Sequence, residues 1–282
     1  MPQLTSERAA DFARCRRQVL EETFFQHGIG SLSERESHAI LKNFYCPDPS
    51  CQEINIGGFV ADISDSSGIT EIQTRGFGKL RRKLQCFLPN YPVRIVLPIA
   101  AVRWLIWVDP QTGELLSRRR CAPGSPLLLF RELYSILDLL WPDSLRVTLA
   151  MLECEEYRLK DGKGPDGKKG AHRSQLLPLR LMEEIELSCP ADLLTLLPPL
   201  PEQFHSAELR RLTRARPRAV SYVIQVLRRL NLIEQIGVEN RFHIYRLVKD
   251  PPFLGFPNLG ELATSSPEGQ TPLSKCASTH PF

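Results

Sequence analysis

The sequence predicts a mixed α/β (α+β) fold, in which a central sheet is flanked by helices and followed by a smaller helical module. The 282 residues are 42% hydrophobic and 24% charged, as in soluble globular proteins, so a substantial core is expected. Apolar and polar residues alternate in three short runs between residues 53 and 74, a pattern typical of hairpin strands. Before and after these runs, apolar residues recur at helical spacing. At ~100–200 residues per domain, the length predicts two domains, or one domain with a substantial appendage.

The first elements are two helices and a three-stranded meander. One helix is predicted over residues 6–25, and a second ends near residue 44. Ser33 can cap the second helix, and Glu36 completes a capping box three residues later. Strands are predicted at 53–56, 59–64 and 69–74, because Gly57-Gly58 and the segment from Asp65 to Gly68 are typical of hairpin turns.

The chain then predicts a helix at 77–88, a buried strand at 93–99, a hairpin at 103–118, a helix at 127–140 and a strand at 146–153. These elements complete a first domain over residues 1–158. Residues 160–173 are rich in Gly and Lys, which predicts a flexible basic linker or a hairpin tip. We therefore assign 159–189 to a basic linker and connecting segment.

Residues 190–250 predict a second, helical domain. A first helix is expected at 190–197, Ser206 is positioned to cap a second, and Pro217 suits the first position of a third. Two strands at 231–236 and 241–246 predict a wing. Residues 251–282, rich in Pro, Ser, Thr and Gly, are expected to form a disordered tail.

This second domain resembles a winged helix-turn-helix. In that class the recognition helix lies in the major groove of DNA and the wing contacts phosphates. The candidate DNA contacts are Arg214, Arg216, Arg218, Ser221, Gln225 and Arg241. A winged helix that binds protein is the alternative.

The first domain contains a basic segment as well. Between Glu71 and Asp109 there is no acidic residue and there are seven Lys or Arg residues, although the net charge of the chain is only +4. A basic segment directly after a pair of carboxylates suits a polyanion such as nucleic acid. Lys79 and Arg82 therefore join the candidate DNA contacts, with a solvated helix face as the alternative.

Two carboxylates in the meander form the candidate chemical site. If the second and third strands pair through the turn before Gly68, Asp62 comes close to Glu71. Two carboxylates among apolar residues require a positive partner, and a hard divalent cation with oxygen ligands is one. Asp62, Glu71 and the carbonyl of Ile72 are thus a candidate Mg²⁺ (or Mn²⁺) site, from which a metal-bound water can attack a phosphodiester. The alternative is that Asp62 caps a turn and Glu71 pairs with Arg75 or Lys83.

The motif of this segment is Asp62, then eight residues, then Glu71-x-Gln73, followed by a basic helix and an apolar strand. Over residues 30–100 it resembles the PD-(D/E)XK nuclease superfamily. The chain also resembles a bacterial family that carries this core and a C-terminal helical module. The resemblance implies a restriction-endonuclease-like core and a Mg²⁺-dependent endodeoxyribonuclease acting on double-stranded DNA. Restriction-like nucleases often work as dimers, which leaves a homodimer open.

The resemblance also implies roles for individual residues. The preceding helix often contributes an acidic residue, for which Glu36 is the best candidate and Glu34 the alternative. Gln73 stands where the superfamily usually has Lys. Lys83 borders the apolar stripe of the next helix and can supply the missing charge, whereas Lys79, one turn earlier, points further away. The implied catalytic set is Asp62, Glu71, Gln73, Lys83 and Glu36.

Several other functions are disfavoured. The N-terminal residues lack a signal-peptide pattern, and the most apolar run, residues 93–108, is interrupted by Arg94, Pro98 and Arg103, so a cytoplasmic protein with no membrane contact is expected. The turn from Cys46 to Cys51 lacks a second ligand pair for zinc. No phosphate-binding loop or nucleophile elbow is present in the sequence. The main rival to the nuclease is an inactive nuclease fold that binds DNA or protein.

Overall fold

The structure is a computed structural model that describes residues 4–27, 34–109, 111–163 and 169–249. It is a mixed α/β protein with a mixed central sheet flanked by helices, as predicted. The predicted cap residue Ser33 and the predicted tail at 251–282 lie outside the described residues. Among the described helices, none combines the length and apolar character that a membrane span needs.

Two helices precede the sheet, and two more are inserted between its strands. In chain order the elements up to residue 187 are α1 (Ser6–His27), α2 (Glu34–Tyr45), β1 (Gln52–Ile56), β2 (Phe59–Asp65), β3 (Gly68–Ile72), α3 (Arg81–Phe87), β4 (Val93–Val108), β5 (Leu115–Cys121), α4 (Leu128–Tyr134), β6 (Leu145–Lys163) and β7 (Lys169–Leu187).

The described sheet has the strand order β1-β2-β3-β4-β6-β7, with β5 paired to the second half of β4. The first three strands form the predicted antiparallel meander. Strand β4 is parallel to β3 and to β6, and β6 and β7 form an antiparallel hairpin. Parallel neighbours require a crossover, which the chain between β3 and β4 provides through α3.

Each face of the sheet is covered by helices. Phe12 of α1 and Ile40 and Leu41 of α2 pack with Ile72 and Val96 on one face. On the other face, the predicted stripe of α3 and the segment before it packs with α4 and with inward-facing residues of β4 and β6. This layered arrangement buries both faces of the central strands, which explains why β4 is apolar almost throughout its first half.

Three predicted boundaries are wrong. The predicted strands at 93–99 and 103–108 are one strand, β4, because its backbone continues past an irregularity between Ala100 and Val102. The predicted helix at 127–140 ends at Tyr134 and is followed by a short 3₁₀ turn at Leu137–Leu139. The predicted strand at 146–153 extends to Lys163.

The predicted linker at 159–189 is also wrong for most of its length. Residues 169–187 form β7, which pairs with β6 from Val147 to Lys163. The described residues of the basic, Gly-rich segment, 160–163 and 169–173, therefore lie on the two paired strands of a hairpin, in line with the alternative that the sequence left open.

The C-terminal part contains three helical segments and a small sheet. A 3₁₀ helix, Pro190–Leu196, precedes β8 (Gln203–His205), α5 (Ser206–Thr213), α6 (Pro217–Arg229), β9 (Ile233–Glu239) and β10 (Phe242–Leu247). Pro217 is the first residue of α6, as predicted. The cap of α5 is His205, whose Nδ1 accepts the Glu208 N–H, and not Ser206. Strand β8 was not predicted; it pairs with β10 to give the order β8-β10-β9.

The C-terminal part does not stand apart from the first. Its buried residues, including Phe204, Leu209 and Leu227, belong to the same hydrophobic cluster as α3, α4 and one face of the sheet. Tyr222 of α6 also packs against Tyr134 of α4, with ring centroids 5.3 Å apart. The two predicted domains therefore share one core.

Candidate active site

Asp62 and Glu71 face each other on neighbouring strands. In the antiparallel pair of β2 and β3, Ile63 is opposite Thr70, and continuing this register by one residue places Asp62 opposite Glu71. The tight turn at Gly68 fixes the register, since Gly68 has a φ of +121° and a Cβ there would lie 2.3 Å from the Pro92 carbonyl oxygen. The pairing predicted from the sequence is therefore present.

Lys83 neutralises Glu71. Its Nζ lies 3.0 Å from Oε1 and 2.8 Å from Oε2 of Glu71, whose side chain is only 2% exposed. Burial raises the pKa of Glu71 to about 7; the Asp62 charge adds to this increase and the Lys83 ammonium opposes it. Lys83 lies one residue before the buried Leu84 of α3, so the helix that packs on the sheet also aims this lysine at the carboxylate.

Asp62 is held by two donors. Its Oδ2 accepts the Ile72 N–H at 2.8 Å and lies 3.2 Å from Nε2 of His38. Burial disfavours the charged form of Asp62, but the His38 contact and the Ile72 N–H outweigh it and hold its pKa below the usual value. The site is therefore two carboxylates with different protonation preferences, one paired with a lysine of α3 and the other with a histidine of α2.

The sequence did not identify His38. It lies on α2, two residues after Glu36, the acidic residue expected to assist. Residues two apart on a helix point about 200° apart, so the face of α2 that presents His38 to Asp62 turns Glu36 away. Glu36 is buried instead. The contact from α2 to Asp62 thus comes from His38, and the side chain of Glu34 lies outside the described residues.

A depression of about 580 Å³ is lined by His38 and Ile72, the two partners of Asp62, and by further residues of α2, of β1 and of the segment after β3. His38 and Lys42, one helical turn apart, lie on its α2 wall. Lys42 Nζ pairs with Oε1 of Glu53 at 2.5 Å. Gln73 lies on the opposite wall, where its amide nitrogen donates to the Arg75 carbonyl at 2.5 Å.

Glu132 supports this site from α4. Its Oε2 accepts the Gly76 N–H at 2.5 Å and the Phe77 N–H at 3.1 Å, and its side chain also pairs with Arg131. Glu132 is buried, at 4% exposure, and it satisfies N–H groups at the start of the 3₁₀ turn that leads into α3. It therefore holds the turn between Gln73 and the helix that carries Lys83.

The donor set suits a hard cation under one condition. Carboxylate and carbonyl oxygens are the ligands that Mg²⁺ prefers, but both Glu71 oxygens contact Lys83. A cation could bind Asp62 and Glu71 only if Lys83 moved away from Glu71. Among the described residues no group of three or more His, Cys, Asp or Glu side chains forms a metal site.

The predicted nucleic-acid contacts fall on two surfaces. Lys79 and Arg82 are exposed beside Lys83. The second surface is formed by the turn between α5 and α6, the exposed side of α6 and the tip of the β9-β10 hairpin; its residues are Arg214, Arg216, Arg218, Ser221, Gln225 and Arg241, all exposed.

Comparisons with known proteins place the chain in a family. It belongs to the family described as "Domain of unknown function (DUF8091)", which matches residues 35–188. The matched range runs from α2 to the end of β7 and so includes Asp62, Glu71, Lys83 and His38. The chain is also similar to an uncharacterized protein of Treponema pallidum (strain Nichols), with 28% identity over 232 residues, covering 79% of this chain and 88% of that protein. No solved structure matches the chain.

Proposed function

We propose that the protein is a DNA-binding, Mg²⁺-dependent phosphodiesterase, an endonuclease of the PD-(D/E)XK type that acts in the cytoplasm. The observation that carries the proposal is the contact of Lys83 with Glu71, opposite Asp62. Gln73 stands where the superfamily usually has a lysine on the strand. Lys83, from the following helix, contacts Glu71 in its place. Two carboxylates and a lysine are the groups that this reaction needs.

The order of strands and helices around the site supports this proposal. A helix precedes an antiparallel meander, which carries the two carboxylates on its second and third strands. A helix follows, and then a strand that is parallel to the third strand of the meander. This is the arrangement that the restriction-endonuclease-like core implies.

The C-terminal part supports a role on DNA. Its order of helix, strand, two helices and two strands, with β10 between β8 and β9, is the arrangement we attribute to a winged helix. In this proposal α6 is the recognition helix, and Ser221 and Gln225 on its exposed side face the bases. Arg241, at the tip of the β9-β10 hairpin, contacts phosphate. A homodimer fits such a protein but is not required.

Each side chain of the site has a defined task in this proposal. Asp62, Glu71 and the Ile72 carbonyl would hold Mg²⁺ or Mn²⁺, which when bound supplies a Lewis acid and an acidified water. Lys83, released from Glu71, stabilises charge on the scissile phosphate. His38 orients Asp62, while Gln73 and Lys42 line the depression through which the phosphate approaches.

An inactive nuclease fold that binds DNA is the second candidate. It is favoured by the observation that Lys83 satisfies both oxygens of Glu71 and that the Gln73 amide is engaged with Arg75. In this case Lys83 is a permanent counter-ion of a buried carboxylate, and the site needs no metal.

Calorimetric titration with Mn²⁺, combined with cleavage of a mixed DNA pool, separates the two candidates. Asp62→Asn and Glu71→Gln keep the side-chain shapes and should abolish both metal binding and cleavage. Lys83→Met should keep or strengthen metal binding, because the competing cation is removed, and should abolish cleavage. Lys79→Met and Glu53→Gln are the matched controls for metal binding, which both should leave unchanged; they replace an exposed lysine near α3 and a carboxylate at the rim of the depression.

The outcomes are distinct. Loss of metal binding in both carboxylate variants, with divalent-dependent cleavage in the wild type, supports the nuclease. No metal binding by the wild type, with DNA affinity unchanged by Asp62→Asn, refutes it and leaves the inactive fold.

A further inference from the structure

A second groove lies away from the carboxylates, between the loop after β5 and the turn that joins α5 to α6. Its volume is about 710 Å³, within the ~300–1,000 Å³ range of small-ligand pockets. One wall consists of residues 122–125 and the exposed side of α4; the other consists of residues 213–216 and the first two turns of α6. The groove therefore lies between the sheet domain and the C-terminal helices.

The rim of this groove is strongly basic. Of the fourteen lining residues four are arginines, Arg131, Arg214, Arg216 and Arg218, and none is Asp or Glu. No described carboxylate forms an ion pair with Arg214, Arg216 or Arg218. Residues 209–229 contain seven Arg, no Lys and no acidic residue. Arginine binds phosphate in a bidentate manner and stacks on planar groups, which lysine does not.

The floor of the groove is apolar and aromatic. Leu128, on α4, lines the groove and is 47% exposed. Tyr222 lines the groove and receives a hydrogen bond at its hydroxyl from Arg218 Nε, 3.2 Å away. The groove therefore places an exposed leucine and a tyrosine beside arginines without a described carboxylate partner. This combines a surface for flat, apolar groups with a surface for phosphates.

We propose that this groove binds a single-stranded segment of nucleic acid, with its phosphates on Arg214, Arg216 and Arg218 and a base against Tyr222 and Leu128. The inference rests on the proposed function, a protein that binds nucleic acid, and adds the class of substrate: DNA with an unpaired segment. A duplex hides its base faces in the stack, so only a single strand can use the floor and the rim together.

An acidic peptide is the other ligand class that an arginine groove can attract. The floor disfavours it, because peptide carboxylates gain nothing from a tyrosine face. The peptide is therefore included in the test as a competitor.

Fluorescence anisotropy with a short labelled oligothymidylate, using the full chain, tests the proposal. Arg214→Gly is the most informative variant. Arg214 has a φ of +53° at the end of α5, a conformation that glycine adopts without strain. The variant should melt no lower than the wild type, so weaker binding cannot come from unfolding. It should bind more weakly and reduce the salt slope, the decrease of log K with log salt, by about 0.7, because one fewer phosphate is neutralised.

Two variants test the floor. Leu128→Glu places a negative charge in the groove and should weaken oligothymidylate binding by about tenfold or more. Tyr222→Leu removes the ring but keeps the bulk, and should weaken binding by about fivefold or more if a base stacks there.

The matched control is Arg228→Gln, at an exposed arginine of α6 that lies outside this groove. It removes the same charge elsewhere on the helix and should leave oligothymidylate binding unchanged.

The proposal is overturned if Arg214→Gly and Leu128→Glu both bind oligothymidylate like the wild type. It is also overturned if polyglutamate of the same charge displaces the oligonucleotide equally well, which would assign the groove to acidic peptides. Failure of the proposed nuclease has a different signature: no metal binding and no cleavage, with single-strand binding still dependent on Arg214 and Leu128.

Discussion

Glu132 does not belong to the carboxylate pair, but removing its carboxylate should clearly lower the free energy of unfolding. The side chain is buried and accepts two backbone N–H groups, from Gly76 and Phe77. Glu132→Gln keeps the shape and one acceptor oxygen but removes the charge. Glu132→Ala removes the acceptor and leaves both N–H groups without this partner.

The size of the effect follows from these two bonds. A hydrogen bond to a charged group contributes about 1.5–3 kcal/mol and a neutral one about 0.5–1.5 kcal/mol. Glu132→Gln should therefore lower the free energy of unfolding by about 2 kcal/mol for the two bonds. For Glu132→Ala, two buried donors at about 1–3 kcal/mol each give a loss of about 4 kcal/mol.

Urea denaturation followed by circular dichroism measures both variants. Glu234→Gln is the control, because Glu234 also pairs with an arginine, Arg246, but is about half exposed; its loss should stay below about 1 kcal/mol. If Glu132→Ala costs no more than Glu234→Gln, the cap of the turn before α3 does not stabilise the fold, and the reasoning fails. If Glu132→Ala does not fold, Glu132→Gln still supplies the measurement.

Two further predictions concern the sheet. Gly68→Ala should lower the free energy of unfolding by about 3 kcal/mol or more, since it adds a Cβ 2.3 Å from the Pro92 carbonyl oxygen at a φ of +121°. Gly58→Ala, at a φ of +83° with no atom within 4 Å of the added Cβ, should cost only about 1–2 kcal/mol; equal losses in urea denaturation would contradict the clash. Burial and then the hydrogen bond to Glu155 raise the pKa of Tyr157 to about 12. Because the folded-state pKa lies above the unfolded value of 10, this stabilisation is complete below pH 10 and is lost as the pH rises through about 12. Denaturation across this pH range should show a smaller loss for Tyr157→Phe than for the wild type, and parallel curves would refute the assignment.

The carboxylate pair and its lysine could be predicted because local rules determine them. The alternation along the strands and the turn that requires glycine place Asp62 opposite Glu71. The apolar stripe of the next helix places Lys83. None of these rules needs knowledge of the rest of the chain. Lys79 and Lys83 each precede a buried leucine, but Lys79 lies in the 3₁₀ turn before α3 and is exposed. Lys83, on α3 itself, is the one that reaches Glu71.

His38 and Glu132 could not be predicted in the same way. His38 depends on how α2 is rotated about its axis, and a rotation of two residues exchanges it with Glu36. Glu132 is separated by 55 residues in the sequence from Phe77, whose N–H it accepts, and no pattern in the sequence links the two. For the end of the β6-β7 hairpin the sequence left open both a linker and a hairpin, because residues 160–173 are polar and Gly-rich and show no alternation with apolar residues.

Helix α4 connects the two proposed sites, which determines how each can be tested. It carries Leu128 and Arg131 on the wall of the groove, and Glu132 beneath the turn that leads to Lys83. Since Arg131 pairs with Glu132, a change at Arg131 would disturb both the groove and the support of the carboxylate site. Leu128 and Arg214 have no such contact with a described residue of the carboxylate site. Substitutions at these two positions therefore report on nucleic-acid binding, and those at Asp62 and Glu71 on metal binding and cleavage.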